Sequence, residues 1–148
     1  MCPSMTSKDA NDCVGVIFPI LPEHSQRLFE GRKSVFVKYS ARESLPRRLQ
    51  SGSKLFLYQS RSNRGIVGEA RIVEIVSATL EEVLVRFGDD VFLTRTELEN
   101  YSGNRKGKRM LVLVLEGTRR YASPLKLGKS ITMAGQYMTK KMLRELKS

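Results

Sequence analysis

Among its 148 residues the chain has no tryptophan, one histidine and two cysteines. A protein zinc site needs three or four Cys, His or carboxylate ligands, and His24 with the distant Cys2 and Cys13 supplies no standard set. Neither a metal nor any other cofactor is therefore expected. Cys2 and Cys13 both lie near the N-terminus, where a disulfide would close only a short tail, and a cytosolic chain keeps such thiols reduced. No run approaches the roughly 18 apolar residues that a membrane span requires. Met1 to Asp12 is polar, carries Asp9 and Asp12, and lacks the apolar centre of a signal peptide. A cytoplasmic location without a membrane partner is expected. Internal repeats, low-complexity stretches and recognisable catalytic motifs are also missing.

What is abundant is positive charge. The chain carries 26 Lys and Arg against 15 Asp and Glu, a net charge of +11. The excess is lopsided: residues 105–148 hold twelve cations and two acids, whereas residues 61–104 hold five cations and eight acids. Such asymmetry is the electrostatic footprint of a phosphate-backbone binder, although a basic proteome or a solubility effect gives the same balance. At 41% hydrophobic and 28% charged, the composition fits a folded globular chain. Its length suits one domain with a real core. The expected organisation is a flexible tail over 1–12 followed by a single domain over 13–148.

Short elements alternate along that domain. Val14 to Ile20 reads as an apolar strand, and Pro22 opens a helix that continues to Glu30 and stops at Gly31. Ser34 to Tyr39 and Lys54 to Gln59 are β-branched and aromatic strands, separated by an irregular stretch with Pro46 and Gly52 as breakers. Ile66 to Val76 is a longer strand with Ala70 and Ile72 on one side and Glu69 and Arg71 on the other. Thr79 with Glu82 has capping-box spacing for a helix running to Phe87, and a second short helix starts at Thr94 or Thr96. Met110 to Leu115 is the most apolar run and reads as a strand buried on both faces. Ile131-Thr132-Met133 is strand-like, and Thr139 caps a terminal helix whose apolar stripe is Met142, Leu143 and Leu146. Five to six strands with short helices in mixed order point to a small α+β barrel.

The segment Leu28 to Lys38 carries the most specific signal. A helix end and glycine stop deliver Arg32 and Lys33 to a strand that places Ser34, Phe36 and Lys38 on one face. In this order of elements the chain resembles the PUA-like superfamily, whose ASCH branch carries Gly-x-Lys-x-x-Glu-x-Arg at this point. Gly31 and Lys33 match, Lys38 replaces the arginine with another cation, and Phe36 stands where the glutamate would be. The likeness covers roughly residues 14–121 and looks strongest to an uncharacterised archaeal group of PUA-like proteins. It implies a small mixed pseudo-barrel, in a superfamily whose members bind RNA or modified nucleobases. Some ASCH-type members are hydrolases, among them a small bacterial acetylcytidine amidohydrolase with a lysine, a threonine nucleophile and a glutamate. Lys33 matches that lysine, Phe36 occupies the threonine's place, and Glu97 offers a loose match to the glutamate. Ser34 is the substitute nucleophile on this alternative reading, in which Lys33, Ser34 and Glu97 would form an amide hydrolase.

The reading preferred from the sequence is an RNA-binding protein, for tRNA, rRNA or single-stranded RNA, including RNA with a modified base. Its nucleic-acid-binding set is Arg32, Lys33, Phe36, Lys38, Arg61, Asn63, Arg64, Arg105, Lys106, Lys108, Arg119 and Arg120. Arg and Asn in the 61–64 loop can reach phosphates or base edges, and Arg105 to Arg109 holds four cations in five residues. Phe36 either stacks on a base or packs in the core, because alternation identifies a face without saying which face is buried. Lys38 correspondingly either holds a phosphate or carbonyl or reaches solvent. Lys33 either lines a pocket or is a solvated lysine interacting with the helix end. His24 reads as a surface helix residue, and Glu69 and Glu74 either as pocket acids or as strand acids that are solvent-facing or ion-paired.

Overall fold

The computed structural model describes residues 13–30, 33–39, 52–60, 64–105, 107–127, 131 and 135–147. Six strands form one mixed sheet: β1 (Cys13–Pro19), β2 (Val35–Lys38), β3 (Lys54–Gln59), β4 (Gly65–Ala78), β5 (Met110–Leu125) and β6 (Gln136–Thr139). Their order across the sheet is β2-β5-β4-β3-β1-β6. β1 and β3 run parallel and all other neighbours antiparallel. Four helices, α1 (Pro22–Glu30), α2 (Leu80–Arg86), α3 (Arg95–Ser102) and α4 (Lys140–Lys147), complete the described α+β fold. The expected closure into a barrel is not made among the described residues, where β2 and β6 remain the two edges of an open sheet.

Strand alternation divides the core. Val16, Phe18, Leu55, Leu57 and Val67 face a cluster that also buries Leu28 of α1, Leu80 and Val83 of α2, and Leu98 of α3. The intervening residues Ile17, Phe56, Tyr58 and Ile66 face a smaller cluster covered by Met142, Leu143 and Leu146 of α4. Three helices therefore lie on one sheet face and α4 on the other. Thr79 and Thr94 both make the full capping box, with Glu82 and Glu97 reaching back to the cap backbone. Thr139 Oγ1 accepts the Met142 N–H at 3.1 Å, the cap expected for α4. Gly15 is required where β1 meets β3, since an added Cβ would lie 2.0 Å from the Lys54 carbonyl oxygen.

Two elements depart from the sequence reading. β5 continues ten residues past Leu115, through a polar stretch without alternation. It stays paired with β4 by bulging: Glu69 opposes Arg119 and Arg71 opposes Glu116, so two β5 residues face Ala70 alone. One of them, Gly117, has φ 61, the left-handed conformation that such a bulge favours. The last strand is Gln136–Thr139. Of the strand-like stretch expected at Ile131 to Met133, only Ile131 falls among the described residues, and it lies outside any strand. The tail at 1–12, Gly31 and most of the 40–53 stretch also fall outside the described residues.

Candidate nucleotide cavity and its cationic surroundings

Between α1, β2 and α3 lies a cavity of about 630 Å³, with Lys38, Phe36, Phe92, His24, Glu97 and Tyr101 on its wall. Each residue is placed by local chemistry. β2 pairs with β5 at Phe36↔Leu113 and Lys38↔Leu111, which directs the alternate residues Phe36 and Lys38 to the same side. Glu97 is the N3 residue of the α3 capping box, and Tyr101 follows one turn later on the same helix face. His24 and Arg27 are three residues apart on α1.

Glu97 is the fixed anion of this wall. Its Oε1 accepts from Arg27 Nη1 at 2.5 Å and from the Thr94 N–H at 2.9 Å, while Oε2 accepts from Arg27 Nη2 at 3.1 Å. These hydrogen bonds, Arg27 first, hold the carboxyl at a pKa of about 2. The same contact raises Arg27 above its ordinary value, against a smaller effect of burial. His24 Nε2 lies 3.8 Å from Glu97 Oε2, and its ring meets Phe92 edge-on at 5.5 Å. A depressed carboxyl stabilises the fold above its ordinary pKa and loses that contribution as pH falls through its folded pKa. Between pH 4.5 and about 2 the protein should therefore lose stability through Glu97. Glu97→Gln should flatten this part of a urea-midpoint profile, and an unchanged slope would count against the pair.

Lys38 is the unusual member. It is 4% exposed, and its Nζ sits 5.2 Å from the centre of the Phe18 ring. Burial lowers its pKa, and the nearby Arg105 charge lowers it further. Arg105 stacks on Tyr39 at 4.3 Å and on Tyr101 at 5.1 Å, and donates from Nη2 to the Tyr101 carbonyl. Among the described residues no carboxylate comes within ion-pair distance of Lys38 or Arg105. Phe36 is 3% exposed and stacks on Phe18 at 5.7 Å and Phe92 at 5.0 Å. With so little surface free, its ring is a packed wall of the cavity. Phe92 is nearly as buried, which leaves the half-buried Tyr101 and His24 rings as the accessible aromatic surface.

The residues of the hydrolase alternative are not brought together. Lys33 lines an adjoining cavity of about 430 Å³, together with Arg27, Asp89 and Arg95, and donates from Nζ to the Asp89 carbonyl. Phe92 and Leu93 belong to both cavities. Ser34 lines neither of them; its N–H donates to the Asp90 carbonyl at 3.0 Å and its carbonyl accepts from the Leu115 N–H at 2.7 Å. The lysine that shares a cavity with Glu97 is Lys38.

The other cations divide between the two sheet faces. Arg120 stacks on Phe29 of α1 at 4.6 Å, and Arg105 lies behind Tyr101, both beside the larger cluster. On the opposite face Glu69 is a buried hub: Lys54 Nζ lies at 2.8 Å, Arg119 at 3.5 Å, Lys147 at 3.8 Å, and the Tyr121 hydroxyl donates to it at 2.6 Å. Glu74 pairs with Arg86 at 2.9 Å. The Arg64 carbonyl accepts from Lys126 Nζ at 3.1 Å, and exposed Lys108 donates its N–H to the Arg105 carbonyl. Arg32, Arg61, Asn63 and Lys106 lie outside the described residues. His24, Phe92 and Tyr101 were absent from the sequence-derived set. The i, i+4 relation of Tyr101 to Glu97 was the available signal for one of them, whereas Phe92 reaches the cavity from a non-helical turn.

No metal-binding group of three or more His, Cys, Asp or Glu occurs among the described residues. No helix there is long and apolar enough to cross a membrane.

The fold has relatives of known structure. ASCH from Zymomonas mobilis superposes with a TM-score of 0.76 at 15% identity, covering 90% of this chain and 94% of that one. A single-substitution variant of the same protein gives the same TM-score over 92% and 96%. An uncharacterized protein of Methanocaldococcus jannaschii is 28% identical over 95 residues, which span 57% of this chain and 88% of that protein. Residues 13–140 match the family described as Domain of unknown function (DUF365). The chain thus belongs to the DUF365 family, and its α+β fold is that of ASCH from Zymomonas mobilis.

Proposed function

We propose that this protein binds RNA, taking one nucleotide into the cavity beside Lys38 while surface cations hold the flanking backbone. The observation that carries the reading is the buried Lys38 on the wall of a nucleotide-sized cavity, beside Tyr101 and His24, in a chain of net charge +11. A perturbed titratable group in a partly apolar cleft is where binding chemistry is expected. Glu97 remains ionised near neutrality and accepts only, while Lys38 in its charged form donates only, so the wall offers both halves of a hydrogen-bonding edge. The ring of Tyr101 gives a base something to stack on. The ASCH fold supports an RNA-related role, and the basic last third supports phosphate contact.

Titrating single-stranded RNA and tRNA at low and moderate salt tests this. With about six phosphate contacts, affinity should fall on the order of 10³-fold between about 50 and 200 mM salt. Absent or salt-insensitive binding would sink the proposal. The amidohydrolase alternative has less support, since Lys33 and Glu97 line different cavities. Turnover of acetylcytidine that disappears in Lys33→Ala would reverse that ranking.

A further inference from the structure

We infer that Lys38 on the cavity wall and Arg105, stacked on the cavity's Tyr101, form an anion subsite that takes the terminal phosphate monoester of an RNA end. This rests on the RNA reading above and names the part of the ligand that the cavity selects. Lys38 is almost completely buried, yet among the described residues no carboxylate neutralises it. Glu97 shares the cavity, but its charge is neutralised by Arg27. Among the described residues, the neighbouring charge that acts on Lys38 is a second cation, Arg105, whose guanidinium is held against Tyr39 and Tyr101. Two like charges gathered around Tyr101 and the cavity wall, one withdrawn from water, are unfavourable until an anion joins them. A phosphate supplies several acceptor oxygens for charge-assisted hydrogen bonds from both groups.

The burial of Lys38 argues for a chain end over an internal phosphodiester. An internal linkage must let the chain leave in both directions, whereas an end can enter phosphate-first. A monoester also carries more negative charge than a diester near neutral pH, so it gains more from a pair of cations. The cavity volume of about 630 Å³ is in the range of sites that hold small ligands, and a terminal nucleotide fits that class.

The test uses three versions of one short single-stranded RNA, bearing a 5′-phosphate, a 3′-phosphate or hydroxyls at both ends. One phosphate-bearing version should bind roughly tenfold more tightly than the hydroxyl-ended one, the scale of a charge-assisted hydrogen bond. Lys38→Met, which keeps the side-chain volume, should erase that preference, so that the phosphate-bearing and hydroxyl-ended RNAs bind this variant equally. Lys38→Arg should restore it. A far-ultraviolet circular dichroism spectrum and melting temperature close to those of wild type show that the variant is folded. Equal affinity for all three RNAs would overturn the subsite, as would a preference that survives both Lys38→Met and Arg105→Gln. If no RNA binds but adenosine monophosphate binds more tightly than adenosine in a Lys38-dependent way, the subsite stands and the RNA reading falls.

Discussion

Replacing Phe36 with alanine should lower the free energy of unfolding by about 4 kcal/mol, the scale of losing a buried aromatic ring and leaving a void. Phe36 is 3% exposed and stacks on both Phe18 and Phe92, so its removal takes a partner from two other rings at once. It also shares the cavity wall with Lys38, and the void would open into that cavity. In a domain of this size the melting temperature should drop by roughly 10 °C. Phe36→Leu, which refills most of the volume, should recover much of the loss. The measurement separates packing from base stacking. A stacking residue would cost affinity, roughly 1–3 kcal/mol per base, with little change in stability. An unchanged urea midpoint in Phe36→Ala would return Phe36 to that role.

Glu69→Ala should cost about 3 kcal/mol, because it strips the common partner from a buried cluster of cations and a phenol. Lys54, Arg119, Lys147 and the Tyr121 hydroxyl all converge on this one carboxylate, whose side chain is 8% exposed. Burial opposes its ionisation, but hydrogen bonds from Lys54 and Tyr121 and the charges of Lys54 and Lys147 more than offset this. Its pKa consequently lies below the ordinary value. Burial and the adjacent carboxylate together push the Tyr121 hydroxyl well up, which keeps it a donor to Glu69. The stabilisation is therefore complete above the ordinary carboxyl pKa of 4.5 and disappears as pH falls through the lower folded value. Wild type and Glu69→Ala should differ most near neutrality and converge in acid. Because Lys147 belongs to α4, hydrogen exchange should accelerate in that helix first. A variant whose α4 amides stay as protected as wild type would refute the tethering role of Glu69.

These two residues also show what patterning conveys. Alternation placed Phe36 and Lys38 on one face of β2, and they do share it. Depth was not in the pattern: all four residues of β2 are buried, because β5 covers one edge and helices pack over the face. Glu69 read as an ordinary strand acid because its partners come from β3, β5 and α4, up to 78 residues away in the chain. The polar half of β5 was illegible for a similar reason. Glu116 to Ser123 has no apolar alternation and forms a strand only because β4 continues beside it.

Local chemistry was read well where it is self-contained. The capping box at Thr79, the proline at the start of α1, the Thr139 cap and the apolar stripe of α4 depend on neighbours within one or two turns, whereas the start of α3 stayed open between Thr94 and Thr96 until the structure showed the box at Thr94. By itself, then, the sequence determined the α+β class, most element positions, the lopsided charge and the ASCH resemblance. Each of these is written in local propensity, periodicity or composition. Only the tertiary structure decided that Lys38, and not Lys33, shares a cavity with Glu97. It also decided that Phe36 packs between Phe18 and Phe92, and that cations of the last third lie on both faces of the sheet. Those outcomes depend on which distant segments come to lie against one another, and no spacing along the chain encodes that.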